Sequence, residues 1–262
     1  MHSWLPLYNL VQRPDVAVAF ILASTFFHVG YHSINHIFRH HITTSRQRAW
    51  ILTFLSSSIM TLGSLPSLCT FIFHHHLSFS SPMESLLIDR YLCVFFVAYL
   101  ITDLIIGRSS YPDQITLITG WIHHSAYTFL LIHLIHQGLT TPFCVMTILE
   151  LPTFVLSLGH LNTSWRRDMW FGATFFLTRI LYHAVMIHRF YWTFPYGGWW
   201  MVLVAAMPMH LHWFGGWIRQ QHRKYKGKHP MKGQRGNKGD PLQGSWKAAL
   251  VRPKRADVAK AD

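Results

Sequence analysis

The chain has 262 residues, of which 50% are apolar and only 13% are charged, whereas soluble domains carry about 25% charged residues. This composition excludes an ordinary soluble domain and indicates an integral membrane protein. The formal net charge of +13 does not indicate a nucleic-acid partner, because no lysine occurs before residue 219 and the folded part therefore has no basic surface of the required kind.

Seven apolar stretches are near the length of about 20 residues that a helix needs to cross a bilayer. They predict helices at about 15–38, 49–73, 85–107, 115–137, 140–161, 169–193 and 197–218. The connecting segments are short, so neighbouring helices should pack antiparallel. We therefore predict an all-α membrane protein in which residues 15–218 form a seven-span helical bundle.

The basic residues predict the orientation of this bundle. With residues 1–14 as a luminal N-terminus and the C-terminus in the cytosol, 19 of the 23 basic residues are cytosolic and only Arg13 and Arg189 are luminal. This asymmetry follows the positive-inside rule. The sequence Asn162-Thr163-Ser164 fits a glycosylation acceptor, but this orientation places it in the cytosol, where it should stay unmodified.

The first predicted span carries histidines at four-residue spacing, namely His28, His32, His36 and His40, followed by His41. Imidazoles on one helical face suit iron or zinc, and these spacings are similar to pieces of membrane di-iron enzymes. The later histidines do not form the further His-x-x-His-His boxes of those enzymes, and about three turns separate His28 from His40. A hydrogen-bonding helix face is favoured, a lipid hydroxylase or desaturase is the alternative, and we assign no metal site.

Ionisable residues in the later spans indicate a polar site inside the membrane. Asp103 lies in the third span, His123 and His124 in the fourth, Glu150 in the fifth and Arg179 in the sixth. A charge at the centre of an isolated span costs about 2.5–3.5 kcal/mol on insertion scales, so these groups need partners from other helices. On the predicted topology, all five open onto one chamber in the cytosolic half of the membrane.

Local spacing adds further residues to this chamber. Side chains four residues apart share a helical face, so His183 lies beside Arg179 and Tyr127 beside His123. Pro152 should kink the fifth span, because it offers no N–H group to the carbonyl four residues earlier.

Two interpretations of the chamber remain open. In the structural one, Glu150 and Arg179 neutralise each other and the histidines hydrogen-bond between helices. In the chemical one, a histidine acts as a general base or a nucleophile in acyl transfer, with Glu150 or the second histidine fixing its tautomer. Arg179 then binds a lipid phosphate or carboxylate, or stabilises an oxyanion. The catalytic candidates are His123, His124 and Glu150, and the substrate-binding candidates are Asp103, Tyr127, Arg179 and His183.

Five segments over roughly residues 46–215 are RAWILTFLSSSIMT, AYLITDL, WIHHSAYTFLL, LELPTFVLSLGHL and WFGATFFLTRILYHA. Their order resembles that of TLC-domain proteins, a multi-pass family of the endoplasmic reticulum that includes the ceramide synthases. The chain is most similar to the small TLC-domain-containing proteins. This resemblance implies a role in sphingolipid or phospholipid acyl-chain homeostasis, with acyl-CoA as a candidate co-substrate and no other cofactor. A non-catalytic lipid-binding regulator of membrane composition is the alternative.

The chain differs from the ceramide synthases in one sequence signature. In the ceramide synthases the His pair, which corresponds to His123 and His124, is held to be catalytic, and a second signature with a His-Asp follows it. This chain has the segment 150–154, Glu-Leu-Pro-Thr-Phe, at that place. The difference argues against ceramide synthesis itself.

Residues 219–262 contain 13 of the 23 basic residues, including all eight lysines, against three aspartates. A basic segment with so few apolar residues cannot form a core, so we predict a disordered cytosolic tail. An anionic membrane surface is its expected partner, at about 1 kcal/mol per basic residue. A solvated tail that only fixes the topology is the alternative.

Overall fold

The computed structural model describes residues 13–79, 86–194 and 198–228, and every regular element in these ranges is helical. The α-helices are α1 Pro14–Ile37, α2 Ser45–Gly63, α3 Leu65–Phe73, α4 Leu87–Ser110, α5 His123–Gln137, α6 Thr140–Met146, α7 Leu151–Leu161, α8 Asp168–Phe175, α9 His183–Thr193 and α10 Trp199–Lys228. Two π-helical turns, Leu117–Ile122 and Phe176–Tyr182, precede α5 and α9, and two 3-10 turns, Thr147–Glu150 and Thr163–Trp165, flank α7.

Six helical segments are long and apolar enough to cross a membrane: Pro14–Ile37, Ser45–Phe73, Leu87–Ser110, Thr140–Leu161, Asp168–Thr193 and Trp199–Lys226. The chain is therefore a multi-pass helical membrane protein, as its composition predicts. The fourth predicted span is also helical, but its α-helical part, α5, has only 15 residues, fewer than the about 20 of a standard span. The seventh crossing and the luminal N-terminus stay predictions.

Local sequence signals explain where several helices begin and end. Pro14 occupies the first turn of α1, where its missing N–H costs nothing, and Asp15 beside it complements the helix dipole. A capping box opens α2, because Thr44 and Gln47 each accept a backbone N–H of the other. Gly138 ends α5 at φ 70°, a left-handed conformation that glycine adopts without a Cβ clash.

Helix α4 packs against α1, α2, α5 and α6, and α2 packs along α7. The core between them contains fully buried large side chains, including Phe27, Tyr31, Leu100 and Leu131. On α1 the opposite face exposes apolar side chains such as Ile21, Leu22 and Val29, which suits contact with lipid chains. This arrangement places the polar residues of α4 on the inside of the bundle.

The last helix extends further than the apolar pattern predicts. α10 runs to Lys228, so the first ten residues of the predicted disordered tail continue a helix. The residues after Phe214 include Arg, Gln and Lys, which are strong helix formers, and this explains why the helix does not end with the apolar run. The rest of the predicted tail and most of the predicted luminal N-terminus lie outside the described residues.

Candidate functional site

Asp103 on α4 is the centre of a buried polar cluster. Its two carboxylate oxygens face different partners: the Tyr111 hydroxyl donates to Oδ1 at 2.7 Å, and Oδ2 lies 3.6 Å from Nδ1 of His124 on α5. Asp103, Tyr111 and His124 are all buried. Nδ1 of His124 is buried without a hydrogen-bond partner among the described residues, and the Asp103 carboxylate lies just beyond hydrogen-bond distance from it.

Tyr111 lies just beyond the end of α4 and is fully buried. Burial, together with the Asp103 carboxyl, raises the pKa of Tyr111 above its ordinary value, so the phenol stays protonated and donates. On the other side, the Tyr99 ring meets the His124 ring edge-on at 5.8 Å, and its hydroxyl lies 3.2 Å from the Thr53 hydroxyl. Aromatic groups thus enclose the pair of Asp103 and His124.

Arg179 forms a second cluster with the segment around Pro152. Its Nη2 atom lies 3.5 Å from Glu150 Oε1 and donates to the Thr153 hydroxyl at 2.7 Å, while Nε donates to the Leu149 carbonyl at 2.8 Å. The ion pair of Glu150 and Arg179 is the one that the structural interpretation of the sequence predicts.

The backbone carbonyl that Pro152 leaves without a donor lies one residue later in the chain than the sequence predicts. The carbonyl four residues earlier, that of Ile148, accepts the N–H of Leu151, because the preceding segment is a 3-10 turn. In a 3-10 turn the donor comes three residues later, so the carbonyl that Pro152 leaves without a backbone donor is that of Leu149. Arg179 supplies the missing donor.

A pair of buried histidines adjoins Arg179. Nδ1 of His183 on α9 lies 3.0 Å from Nδ1 of His210 on α10, so one ring donates and the other accepts. His183 is 1% exposed and its Nε2 atom has no hydrogen-bond partner among the described residues. The sequence predicts His183 in the chamber but not His210, whose position on a different helix gives no spacing signal.

His123 and Tyr127 extend the cluster of Asp103 and His124. Their rings lie 4.7 Å apart, and the His123 ring lies 5.7 Å from that of His124. Four of the predicted site residues thus lie in the first cluster, namely Asp103, His123, His124 and Tyr127, and Glu150, Arg179 and His183 lie in or beside the second. That the two clusters form one polar chamber stays a prediction. The carboxylate beside His124, however, belongs to Asp103 and not to Glu150.

A π-helical turn lies at each of the two clusters. One ends at Ile122, immediately before His123, and the other contains Arg179. A π turn widens the helix and changes the direction of its side chains, and such turns are frequent at functional sites. The sequence gives no signal for either turn, because neither Pro nor a helix cap marks them.

A third buried polar group, Asp89, is not among the residues predicted from the sequence. It is fully buried near the start of α4, where the Ser67 and Thr141 hydroxyls donate to its two carboxylate oxygens. The signal was available, since an aspartate in an apolar helix needs partners. Its partners come from α3 and α6, so Asp89 joins three helices.

The histidine stripe of α1 stays outside the chamber. His32, His36 and His40 are exposed, and His28 bonds through Nδ1 to the Ser24 carbonyl of its own helix at 2.9 Å. Within 13–79, 86–194 and 198–228, no three His, Cys, Asp or Glu side chains are grouped as metal ligands. The favoured interpretation of a hydrogen-bonding face fits His28, and the other three face outward.

No protein-family model, curated protein or solved structure matches the chain.

Proposed function

We propose that this chain acts on membrane lipids by acyl transfer from acyl-CoA to a lipid hydroxyl or amine. One observation carries the proposal: a buried carboxylate, Asp103, faces Nδ1 of His124 while Tyr111 holds its other oxygen. A carboxylate beside Nδ1 favours the tautomer with the proton on Nδ1, which leaves the Nε2 lone pair as a base. The resemblance to TLC-domain proteins of the endoplasmic reticulum points to the same histidine pair.

His124 acts as the general base in this reaction. Its Nε2 atom takes the proton of the acceptor as the acceptor oxygen or nitrogen bonds to the acyl carbon, and the carbon–sulfur bond of the thioester then breaks. The imidazolium returns this proton to the departing thiolate. The Asp103 carboxylate stabilises the imidazolium between the two steps. The 3.6 Å separation of His124 and Asp103 should shorten when substrate binds.

Arg179 provides the positive charge of the proposed site. Arg179 is fixed by its bonds to Leu149 and Thr153 and by aromatic rings, since Phe175 and Trp213 lie 5.5 and 5.9 Å from its guanidinium carbon. A cation held in this way stabilises an oxyanion without reorganising during the reaction. In this proposal His123, whose ring lies 5.7 Å from that of His124, contacts the acyl carbonyl.

A second candidate function is non-catalytic lipid binding. The observation that favours it is the ion pair of Glu150 and Arg179, which can neutralise both charges without any ligand. In this case the chamber stabilises the bundle and an acyl chain occupies it without reacting. The two functions differ in whether lipid molecules are converted.

A comparative lipid profile distinguishes these functions. Cells that lack the protein are supplied with the wild type, with a His123→Ala, His124→Ala variant, or with a His32→Ala, His36→Ala control on the exposed face of α1. We expect the wild type and the control to restore particular acyl species, and the chamber variant to fail at equal protein level. A chamber variant that restores those species would remove the catalytic role.

The same cell lines test the alternative function, non-catalytic lipid binding. Identical lipid species in all lines, together with altered bilayer order in those that carry the wild type, would identify a regulator. Bilayer order is measured with a fluorescent membrane probe in isolated microsomes. A stoichiometric iron content in the purified protein, lost in the His36→Ala variant, would instead favour the oxygenase.

A further inference from the structure

The loop between α7 and α8 forms a concave basic surface at one end of the helices. A shallow depression, open to solvent, is lined by Gly159, His160, Arg166, Arg167 and Phe171, among others. We call this surface the loop cradle. None of these residues belongs to the polar chamber.

The loop cradle is held in shape by its own sequence. At Gly159 a Cβ atom would lie 3.2 Å from the Arg166 Cα atom, so the glycine allows the loop to approach α7 a few tenths of an ångström more closely than a larger residue. The Asn162 side chain accepts the backbone N–H of Ser164, and Arg167 Nη1 donates to the Ser164 carbonyl at 3.3 Å. The two arginines therefore extend from a fixed backbone.

The charge of the loop cradle is positive. Arg166 Nε donates to the Asp168 carboxylate at 2.7 Å. The surface therefore has two guanidinium groups and one carboxylate. His160 stacks on the Trp50 indole, with ring centroids 4.3 Å apart and planes 16° apart. In these hydrogen bonds Arg166 and Arg167 each use a single guanidinium nitrogen. A guanidinium group can bind a phosphate through two parallel N–H donors.

Large exposed side chains beside the loop cradle indicate at which level of the membrane it lies. Trp165, Met169 and Trp170 are 58%, 68% and 68% exposed, and tryptophan is enriched at the interface between lipid and water. The loop cradle then lies at the level of the lipid headgroups. Basic pockets between helices at this level bind anionic headgroups.

We propose that the loop cradle is a phosphate-binding site, which takes the phosphate of a lipid headgroup or of a soluble molecule such as coenzyme A. The N-terminus of α8 adds backbone N–H groups at the same place. α7 links the loop cradle to the chamber, because His160 lies seven residues after Thr153, about 10 Å along the helix.

Binding without turnover tests this proposal separately from acyl transfer. The full-length protein is placed in phosphatidylcholine nanodiscs, and its binding of phosphatidic acid in the disc and of coenzyme A in solution is measured. The test variant is Arg166→Gln, Arg167→Gln. The control, Arg39→Gln, Arg108→Gln, removes the same charge elsewhere. A further variant, Arg166→Lys, keeps the charge but removes the bidentate fork.

We expect the test variant to lose about tenfold or more in affinity for the phosphate-bearing probe, and the control less than about twofold. Arg166→Lys should lie between them. Binding of phosphatidic acid alone identifies a headgroup site, and binding of coenzyme A alone a site for soluble phosphate. Equal losses in test variant and control, or no binding of either probe by the wild type, would overturn the proposal. Unchanged thermal unfolding of the variants ensures that binding, not folding, is compared.

Discussion

Arg179 combines several kinds of contact in the chamber. Hydrogen bonds to Leu149 and Thr153, the ion pair with Glu150 and two aromatic rings surround the same guanidinium. Removing one partner of such a group leaves a desolvated charge, which is worse than removing the whole pair. The stability of the bundle should therefore depend on the balance of charge around Arg179.

A double-mutant cycle tests this balance. Glu150→Ala alone should destabilise the protein more than Glu150→Ala combined with Arg179→Met. A fully buried pair loses about 3–5 kcal/mol when one partner is removed, and we expect less here because the Glu150 side chain is 24% exposed. Thermal unfolding in detergent gives the stabilities of the wild type, the two single variants and the double variant. Strictly additive effects would show that the two residues do not interact.

Tyr111 is a positioning residue for Asp103. Tyr111→Phe keeps the ring but removes the hydroxyl that donates to Oδ1, so it should cost about 1–3 kcal/mol of stability. It should also lower the rate of acyl transfer while leaving the KM for acyl-CoA nearly unchanged. Thermal unfolding and steady-state kinetics measure the two effects, and a variant with wild-type stability and rate would refute this role.

The residues of the chamber could be predicted from the sequence because each is an ionisable group in an apolar run. The pairing of Glu150 with Arg179 could also be predicted, whereas that of Asp103 with His124 could not. Asp103 and Glu150 are both carboxylates at suitable depth, and only the rotation of α4 and α5 about their axes places Asp103 beside His124. Tyr111 and His210 were missed for the same reason, since contacts between helices leave no spacing signal.

At the scale of elements, irregular turns create the chamber. The helix ends agree with the apolar runs within a few residues for most spans, since the bilayer sets their length. The thickness of the bilayer does not explain the 3-10 turn before Pro152 or the π turn around Arg179. The 3-10 turn determines which carbonyl needs a donor from another helix, so the sequence predicts a distortion at Pro152 but places it at Ile148 instead of Leu149.

Pro152→Ala tests the link between these turns. The new N–H of residue 152 can donate to the Leu149 carbonyl, which then no longer depends on Arg179. Arg179→Met should therefore destabilise the Pro152→Ala protein less than it destabilises the wild type, by about 1 kcal/mol, the net value of one hydrogen bond. The comparison uses thermal unfolding of four purified variants. An equal effect of Arg179→Met in both backgrounds would show that Pro152 does not determine this contact.

For the whole molecule, the described helices establish a multi-pass membrane protein, and the basic residues predict its orientation. Protease added to intact microsomes should cleave the tail after Arg219, because the predicted C-terminus is cytosolic. Asn162 should carry no glycan for the same reason. An epitope at the C-terminus and a glycosidase digest provide both readouts. A protected tail, or a glycan on Asn162, would reverse the orientation.

We propose that Asp103 and His124 act together on a membrane lipid. The most direct measurement is the transfer of an isotope-labelled acyl group from acyl-CoA to lipid by the full-length protein in liposomes. We compare the wild type with Asp103→Asn, His124→Ala and the exposed control Asp113→Asn. Because general acid–base catalysis contributes about 10²–10⁴-fold, Asp103→Asn and His124→Ala should each lose at least about a hundredfold in rate, while Asp113→Asn keeps the wild-type rate. Transfer that persists in both chamber variants, or no transfer to any lipid by the wild type, would contradict the account.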